Sequence, residues 1–407
     1  MTAPNSGQSA PQGERRIPRE IWALVIAAFF IAIGFGLIAP VLPLFADEFA
    51  VSVTATTVVV SAFPLLRLLW APAAGAFLTR IGERWTYMIG VMIVAVSSAA
   101  TAFAGNYWEL LVYRSFGGIG SVMFTVSAMA MIVKYTPPLI RGRVSALYGS
   151  MFLIGNVLGP VAGGLLAGLG FRAPFLIYAG TLTIAATIVA VMLRSAGERE
   201  EQRGGGEQRP PMKLTEAFAD PVYRAALATG FANGWTNFGI RNSLVPLFVM
   251  YAITGEPWVA GMVMATFAIG NAAALPFSAK FTDNVGRKPV IVWGMLLNGA
   301  LMAVFGLMGA MVPLVIVSVL AGAGAGLMNP GQQAAVADVI GSDRSSGQVL
   351  AVFQMVQDVG SIIGPVLAGM IADAVGFPAA FGVSGAIMLV CVLPWLRADE
   401  PLHRNLR

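Results

Sequence analysis

Apolar residues in this chain come in runs of roughly 20, the length a helix needs to cross a bilayer core of about 30 Å. Twelve runs are legible, at 21–45, 54–78, 86–104, 108–133, 144–168, 174–193, 222–251, 257–279, 288–310, 313–337, 348–371 and 376–397. The pattern predicts an all-α membrane protein of twelve transmembrane helices, because helices satisfy their own backbone hydrogen bonds where lipid offers none. One connection is long. Residues 194–221 carry Glu198-Arg-Glu-Glu-Gln-Arg-Gly-Gly-Gly-Glu and then Pro210-Pro211, a polar linker that cannot bury a core. The division that follows is a tail at 1–20, a six-helix bundle at 21–193, the linker at 194–221, a second six-helix bundle at 222–397 and a tail at 398–407.

The second half repeats the first. Gly155-Asn-Val-Leu-Gly159-Pro160-Val-Ala-Gly163-Gly164 returns 205 residues later as Gly360-Ser-Ile-Ile-Gly364-Pro365-Val-Leu-Ala-Gly369. Glycine at every fourth position clears one helix face so that another helix can approach, and proline after the central glycine removes a backbone donor and bends the helix. The motif reads either as plain close packing or as a gating hinge between halves. Pro43-Leu-Phe recurs as Pro246-Leu-Phe, Gly118 and Gly120 as Gly322 and Gly324. The loop Gly75-Ala-Phe-Leu-Thr-Arg80-Ile-Gly82-Glu-Arg84 recurs as Ala279-Lys-Phe-Thr-Asp283-Asn-Val-Gly286-Arg287-Lys288. Two six-span repeats suggest alternating access by rocking bundles.

Composition agrees with this architecture. Hydrophobic residues make up 57% and charged residues 11%, and a mean hydropathy of +0.77 leaves too little charge to cover a soluble surface. The single cysteine, Cys391, excludes an internal disulfide framework. The first apolar run exceeds a signal-peptide core and lacks a small-residue cleavage site, so it is read as a retained span. Of 25 lysines and arginines, 21 fall on one side of the membrane once the spans are threaded, which puts both termini in the cytoplasm. The same scatter along helix ends explains the high pI without nucleic acid. An excess of arginine over lysine among many alanines points to a GC-rich bacterial genome, and so to a multi-pass protein of a bacterial inner membrane.

Ionisable residues inside the spans are costly in hydrocarbon and are functional candidates by default. Arg67, Arg114, Arg241 and Asp358 are such residues. Arg114 lies six residues inside Trp108, roughly 9 Å along a helix; it either snorkels outward or, with Ser121 and Thr125, lines a cavity. In span seven Asn233, Asn237 and Arg241 recur at helical spacing, with Trp235, Phe238 and Asn242 on a flank. Span ten offers Asn329, Gln332 and Gln333, and span eleven Gln354, Gln357, Asp358 and Ser361. A polar face in a membrane must look toward protein or water. These amides serve interhelical bonding or form an adaptable wall for a chemically varied small-molecule substrate. Arg80, Arg84, Arg287 and Lys288 are topological anchors, gating residues, or both. His403, the one histidine, sits in the polar tail, away from the spans. No nucleophile–base pair, metal-ligand cluster or phosphate loop is legible, so no enzyme, metal site or cofactor is expected.

Together these motifs resemble the major facilitator superfamily, and within it the twelve-span drug–proton antiporters of the multidrug and tetracycline efflux type. The resemblance covers nearly the whole chain and implies two pseudo-symmetric six-helix bundles, a proton gradient as driving force, and function as a monomer among membrane lipids. Gly75, Arg80, Gly82 and Arg84 match a cytoplasmic gating signature, with Thr79 where its acidic residue is expected, and Asp283, Gly286 and Arg287 match its second copy. Leu110-Leu-Val-Tyr-Arg114-Ser-Phe-Gly-Gly118-Ile-Gly120 is similar to a fourth-span motif tied to proton coupling. Gly155, Gly159, Pro160, Gly163 and Gly164 match the fifth-span antiporter motif. The architecture also implies that span two packs beside span eleven. Arg67 and Asp358 then sit at similar depth in opposite halves, and either form a static bridge or pair as a proton-sensitive switch. The function implied is proton-coupled export of amphipathic molecules or drugs; a dedicated exporter of an anionic metabolite and a lipid flippase are the alternatives.

Overall fold

A computed structural model of the chain describes residues 17–136, 140–168, 170–192, 212–341 and 347–400. Twelve membrane-length segments appear among them: α1 (Arg19–Asp47), α2 (53–81), α3 (83–102), α4 (Tyr107–Tyr135), α5 (Arg141–Ala167), α6 (Arg172–Met192), α7 (221–253), α8 (Pro257–Asn284), α9 (Arg287–Phe305), α10 (Met311–Ile340), α11 (Gly347–Val375) and α12 (Phe377–Arg397). The tails at 1–16 and 401–407 with His403, most of the linker, and the Asp283 side chain lie outside the described residues.

Two spans depart from a plain apolar rod. α2 and α3 run on as one helical stretch interrupted at Gly82, whose φ of 80° and ψ of 167° take it out of the helix; a residue with a Cβ is strained there. α7 opens with Asp220, whose carboxylate accepts from Val222 N at 2.9 Å, ahead of Pro221, a capped start that proline favours. It then widens into π-turns at Gly234–Ile240 and Val249–Ile253. The first wide turn begins where Gly234 lies against the Gln357 carbonyl of α11, so close approach of the neighbouring helix accompanies the expanded pitch.

Among the described residues α1–α6 share one large apolar core and α7–α12 hold two, each half adding one small cluster. The repeated glycine motif packs each half the same way. Gly155 and Gly159 of α5 meet Ala32, Ile33 and Gly36 of α1, while Gly360 and Gly364 of α11 meet Phe231 and Trp235 of α7. The last glycine of each copy turns to the other half: Gly164 touches Trp258 and Gly261 of α8, and Gly369 touches Thr54 and Thr57 of α2. α5–α8 and α2–α11 are therefore the two seams, related by a pseudo-twofold. The motif is a packing face and a seam at once.

Candidate functional site: a polar belt at mid-depth

Arg67 and Asp358 bridge the α2–α11 seam. Arg67 Nε lies 3.4 Å from Asp358 Oδ2, with about a quarter of each side chain exposed. α4 closes on this part of α2 because Gly118 has no Cβ: its face rests on the Phe63 carbonyl and the Arg67 amide. One turn from Arg67, Phe63 presents its ring to Arg114, whose guanidinium carbon sits 4.2 Å from the ring centroid. Arg114 is 4% exposed, and its Nε and Nη1 have no protein acceptor. It points into the half rather than snorkelling past Trp108, which stays 70% exposed.

The second half has a counterpart built from a different helix. Arg241 of α7 stacks over Phe267 of α8 at 4.7 Å, and its Nε donates to the Asn237 carbonyl at 3.0 Å. Phe63 and Phe267 are 204 residues apart in sequence, and Gly322 rests on the Phe267 carbonyl as Gly118 does on Phe63. Each half thus lays one arginine on the same phenylalanine position.

Several amides expected on a ligand wall are bonded to one another instead. Asn237 Nδ2 donates to Asn233 Oδ1 at 2.8 Å, and Asn233 Nδ2 to Asn329 Oδ1 at 3.0 Å. Asn298 of α9 donates to Asn237 Oδ1 at 3.3 Å and to the Ala321 carbonyl at 2.7 Å. Gln332 reaches Asn329 at 3.5 Å. Asn233, Asn237, Asn298 and Gln332 are buried, which places them inside the packed half in this conformation. Trp235 is buried too, donating to Ser384 at 3.1 Å. Asn329, Arg241, Asn242, Gln354 and Gln357 remain partly exposed, Phe238 is 45% exposed, and Gln333 is exposed.

The loop residues bond within their own halves. Glu83 pairs with Lys134 at 3.2 Å in the first half, and Arg287 with Asp338 in the second. These are equivalent positions, 204 apart, with the charges exchanged. Arg84 Nη2 donates to the Ala190 carbonyl and Lys288 Nζ to the Ala398 carbonyl, both at 2.8 Å. Glu400 accepts from the Arg287 and Lys288 amides at 2.7 and 3.1 Å, lying where Gly286, at φ 116°, leaves room. Gly75 faces open space and Arg80 is exposed. The gating expected of these loops is therefore not an inter-half bond between described residues here.

Hydrogen bonds and ion pairs that join described residues of the two halves lie at mid-depth or toward the end opposite these basic loops. Asp373 of α11 accepts from Val53 N at 3.0 Å, Thr54 N at 2.8 Å and Thr54 Oγ1 at 2.6 Å, at the start of α2. Tyr251 of α7 donates to the carboxylate of Asp47 at the end of α1, 2.6 Å at the nearer oxygen. Leu44, with Ala39, Val53 and Phe171, joins the apolar core of the second half. The end opposite the basic loops is closed.

Sequence reasoning passed over Phe63, Phe267, Asn298, Asp47, Tyr251 and Asp373. The 204-residue offset could have paired the two phenylalanines and the two loop bridges; Asp47, Tyr251 and Asp373 carry no signal at a span end.

The family model described as Major Facilitator Superfamily matches residues 24–255 and 235–407. Among relatives, Multidrug resistance protein 1 of Bacillus subtilis (strain 168) is 26% identical over 93% of this chain and 96% of its own. Multidrug efflux protein YfmO of the same organism is 24% identical over 95% and 94%. Quinolone resistance protein NorA of Staphylococcus aureus (strain MRSA252) is 23% identical over 87% and 90%. Among solved structures, a bacterial homolog to the human lysosomal transporter Spinster, inward-facing and occupied, superposes with a TM-score of 0.73 at 18% identity, covering 93% of this chain and 95% of that one. Its unoccupied inward-facing form gives 0.70 at 17% identity, over 94% and 96%.

Proposed function

The chain belongs to the Major Facilitator Superfamily, and from that premise we propose that it exports amphipathic, drug-like molecules from bacteria in exchange for protons. The observation that carries the coupling is the Arg67–Asp358 pair, one charge from each half across a seam that must part for access to alternate. Each ion is costly in the membrane alone, and pairing offsets that cost. A proton on Asp358 cancels the attraction, so proton uptake and separation of α2 from α11 are linked. End-to-end likeness to multidrug and quinolone resistance proteins supports drugs as the cargo, and Phe238, Asn242, Asn329 and Gln354 are the contacts assigned to them.

With the basic loops in the cytoplasm, as the positive-inside rule predicts, the closed end is the outer one. The test is proteoliposomes with an imposed pH gradient and a panel of cationic, neutral and anionic compounds. Substrate should follow the gradient and drive proton flux in return, and Asp358→Asn should abolish both while the protein stays folded. Full gradient-driven transport in Asp358→Asn would eliminate the switch. A second reading, export of an anionic metabolite, is favoured by Arg114 and Arg241, which have no carboxylate partner among the described residues. Transport confined to the anionic arm of the panel would select it.

A further inference from the structure

Two carboxylates, one per half, fasten the closed end, and they do so by different chemistry. Asp373 reaches across the α2–α11 seam to the first turn of α2, where amides lack helical acceptors. The α2 cap is shared: Ser52 Oγ takes the Ala55 amide at 3.2 Å, while Asp373 takes Val53 N, Thr54 N and the Thr54 hydroxyl. A helix of one bundle is thus capped by an acid of the other. Negative charge at a helix N-terminus is favourable, and hydrogen bonds to an ionised acceptor are the stronger kind. Gly369, one turn earlier on α11, lets that helix lie against Thr54 and Thr57 closely enough for the reach. At the other contact, Asp47 ends α1 and accepts from Tyr251 at the end of α7, whose ring stacks on Phe377 at 6.3 Å between centroids. The stack fixes the phenol independently of the bond.

We propose that Asp373 and the Asp47–Tyr251 pair are the latch of the outer gate, holding the outer end shut by bonds that must break before it can open. The proposal rests on the alternating-access reading above, but its readout needs no substrate. When the halves part, Val53 N and Thr54 N lose their acceptor to water, so the α2 cap itself changes between the two states. Asp358 sits about 22 Å from Asp373 along α11, at ~1.5 Å per residue. The latch is accordingly a separate control from the mid-depth pair, acting on the same helix.

The experiment places spin labels at Gly105→Cys and Gly309→Cys, exposed positions in equivalent loops at the closed end, in a Cys391→Ala background. Pulsed distance measurements are combined with the rate at which an impermeant thiol reagent modifies Thr57→Cys, a buried seam residue. Asp373→Asn should lengthen the label distance and raise the modification rate about tenfold, the equivalent of losing one charge-assisted bond. Tyr251→Phe keeps the ring stack and loses only the hydroxyl; it should act in the same direction, and the two together more strongly. Tyr251→Phe also serves if Asp373→Asn fails to fold. Unchanged distances and rates in the folded single and double variants would overturn the latch. Failure of the wild type to move substrate with a pH gradient would instead overturn the transport reading and leave these distances interpretable.

Discussion

Arg114 and Arg241 each place a guanidinium over a phenylalanine ring. A ring face contributes about 0.5–2 kcal/mol, less than the several kcal/mol that a cation loses on leaving water. Arginine is suited to the site by its flat, always-charged group, which lysine cannot reproduce. Arg114→Lys should therefore lose most transport without loss of folding, measured as drug efflux against helix content. Glycines separate packing from propensity at the same scale. A Cβ at Gly118 or Gly322 would overlap a backbone carbonyl of the facing helix, so either alanine variant should cost about 1–3 kcal/mol of thermal stability. Gly75→Ala meets nothing and should be neutral or gain up to about 1 kcal/mol. Charged residues were legible in the sequence because they stand out in apolar runs. Phe63 and Phe267 were not, because a phenylalanine in a membrane span looks the same whether it holds a cation or faces lipid.

At the scale of elements, span length revealed the twelve helices, since it follows from hydrophobicity alone. The glycine repeat suggested packing or a hinge, the α2–α11 contact was implied by the family resemblance, and the α5–α8 contact emerged only from the structure. The amide stripe of α7 was legible, but the sequence left interhelical bonding and a ligand wall both open. Spacing shows that polar residues share a face, whereas only packing decides whether α9 and α10 cover it, as Asn298 and Asn329 do. The first wide turn of α7 was equally out of reach, because it goes with a carbonyl contributed by α11 more than a hundred residues away. The two seams invite a comparison. The nearest neighbours of Gly164 belong to α8, with Gly261 Cα 3.0 Å from where its Cβ would stand. Gly164→Ala should shift the access equilibrium toward an open outer end while leaving helix content intact. Gly159, pressed against Gly36 within its own half, should instead lower melting temperature when changed to alanine. Circular dichroism melts and Thr57→Cys reactivity distinguish the two.

For the whole molecule, orientation decides on which side of the membrane the closed end lies. The positive-inside rule predicts a cytoplasmic linker. An impermeant reagent on intact cells should then miss Ser195→Cys and label Thr254→Cys; the reverse pattern would invert both gate and direction. A different whole-molecule consequence comes from the exchanged signs at Glu83–Lys134 and Arg287–Asp338. A chain made of two similar bundles risks misassembly as it inserts, each loop competing for the other bundle's partner. Opposite polarity removes that risk, because the crossed combinations set acid against acid and base against base. Glu83→Arg with Lys134→Asp keeps a bridge in its own half but gives both bundles the same polarity. Such a variant should melt like the wild type once purified, yet reach the membrane correctly folded in lower yield, with the shortfall recovered when Arg287→Glu and Asp338→Lys restore the contrast.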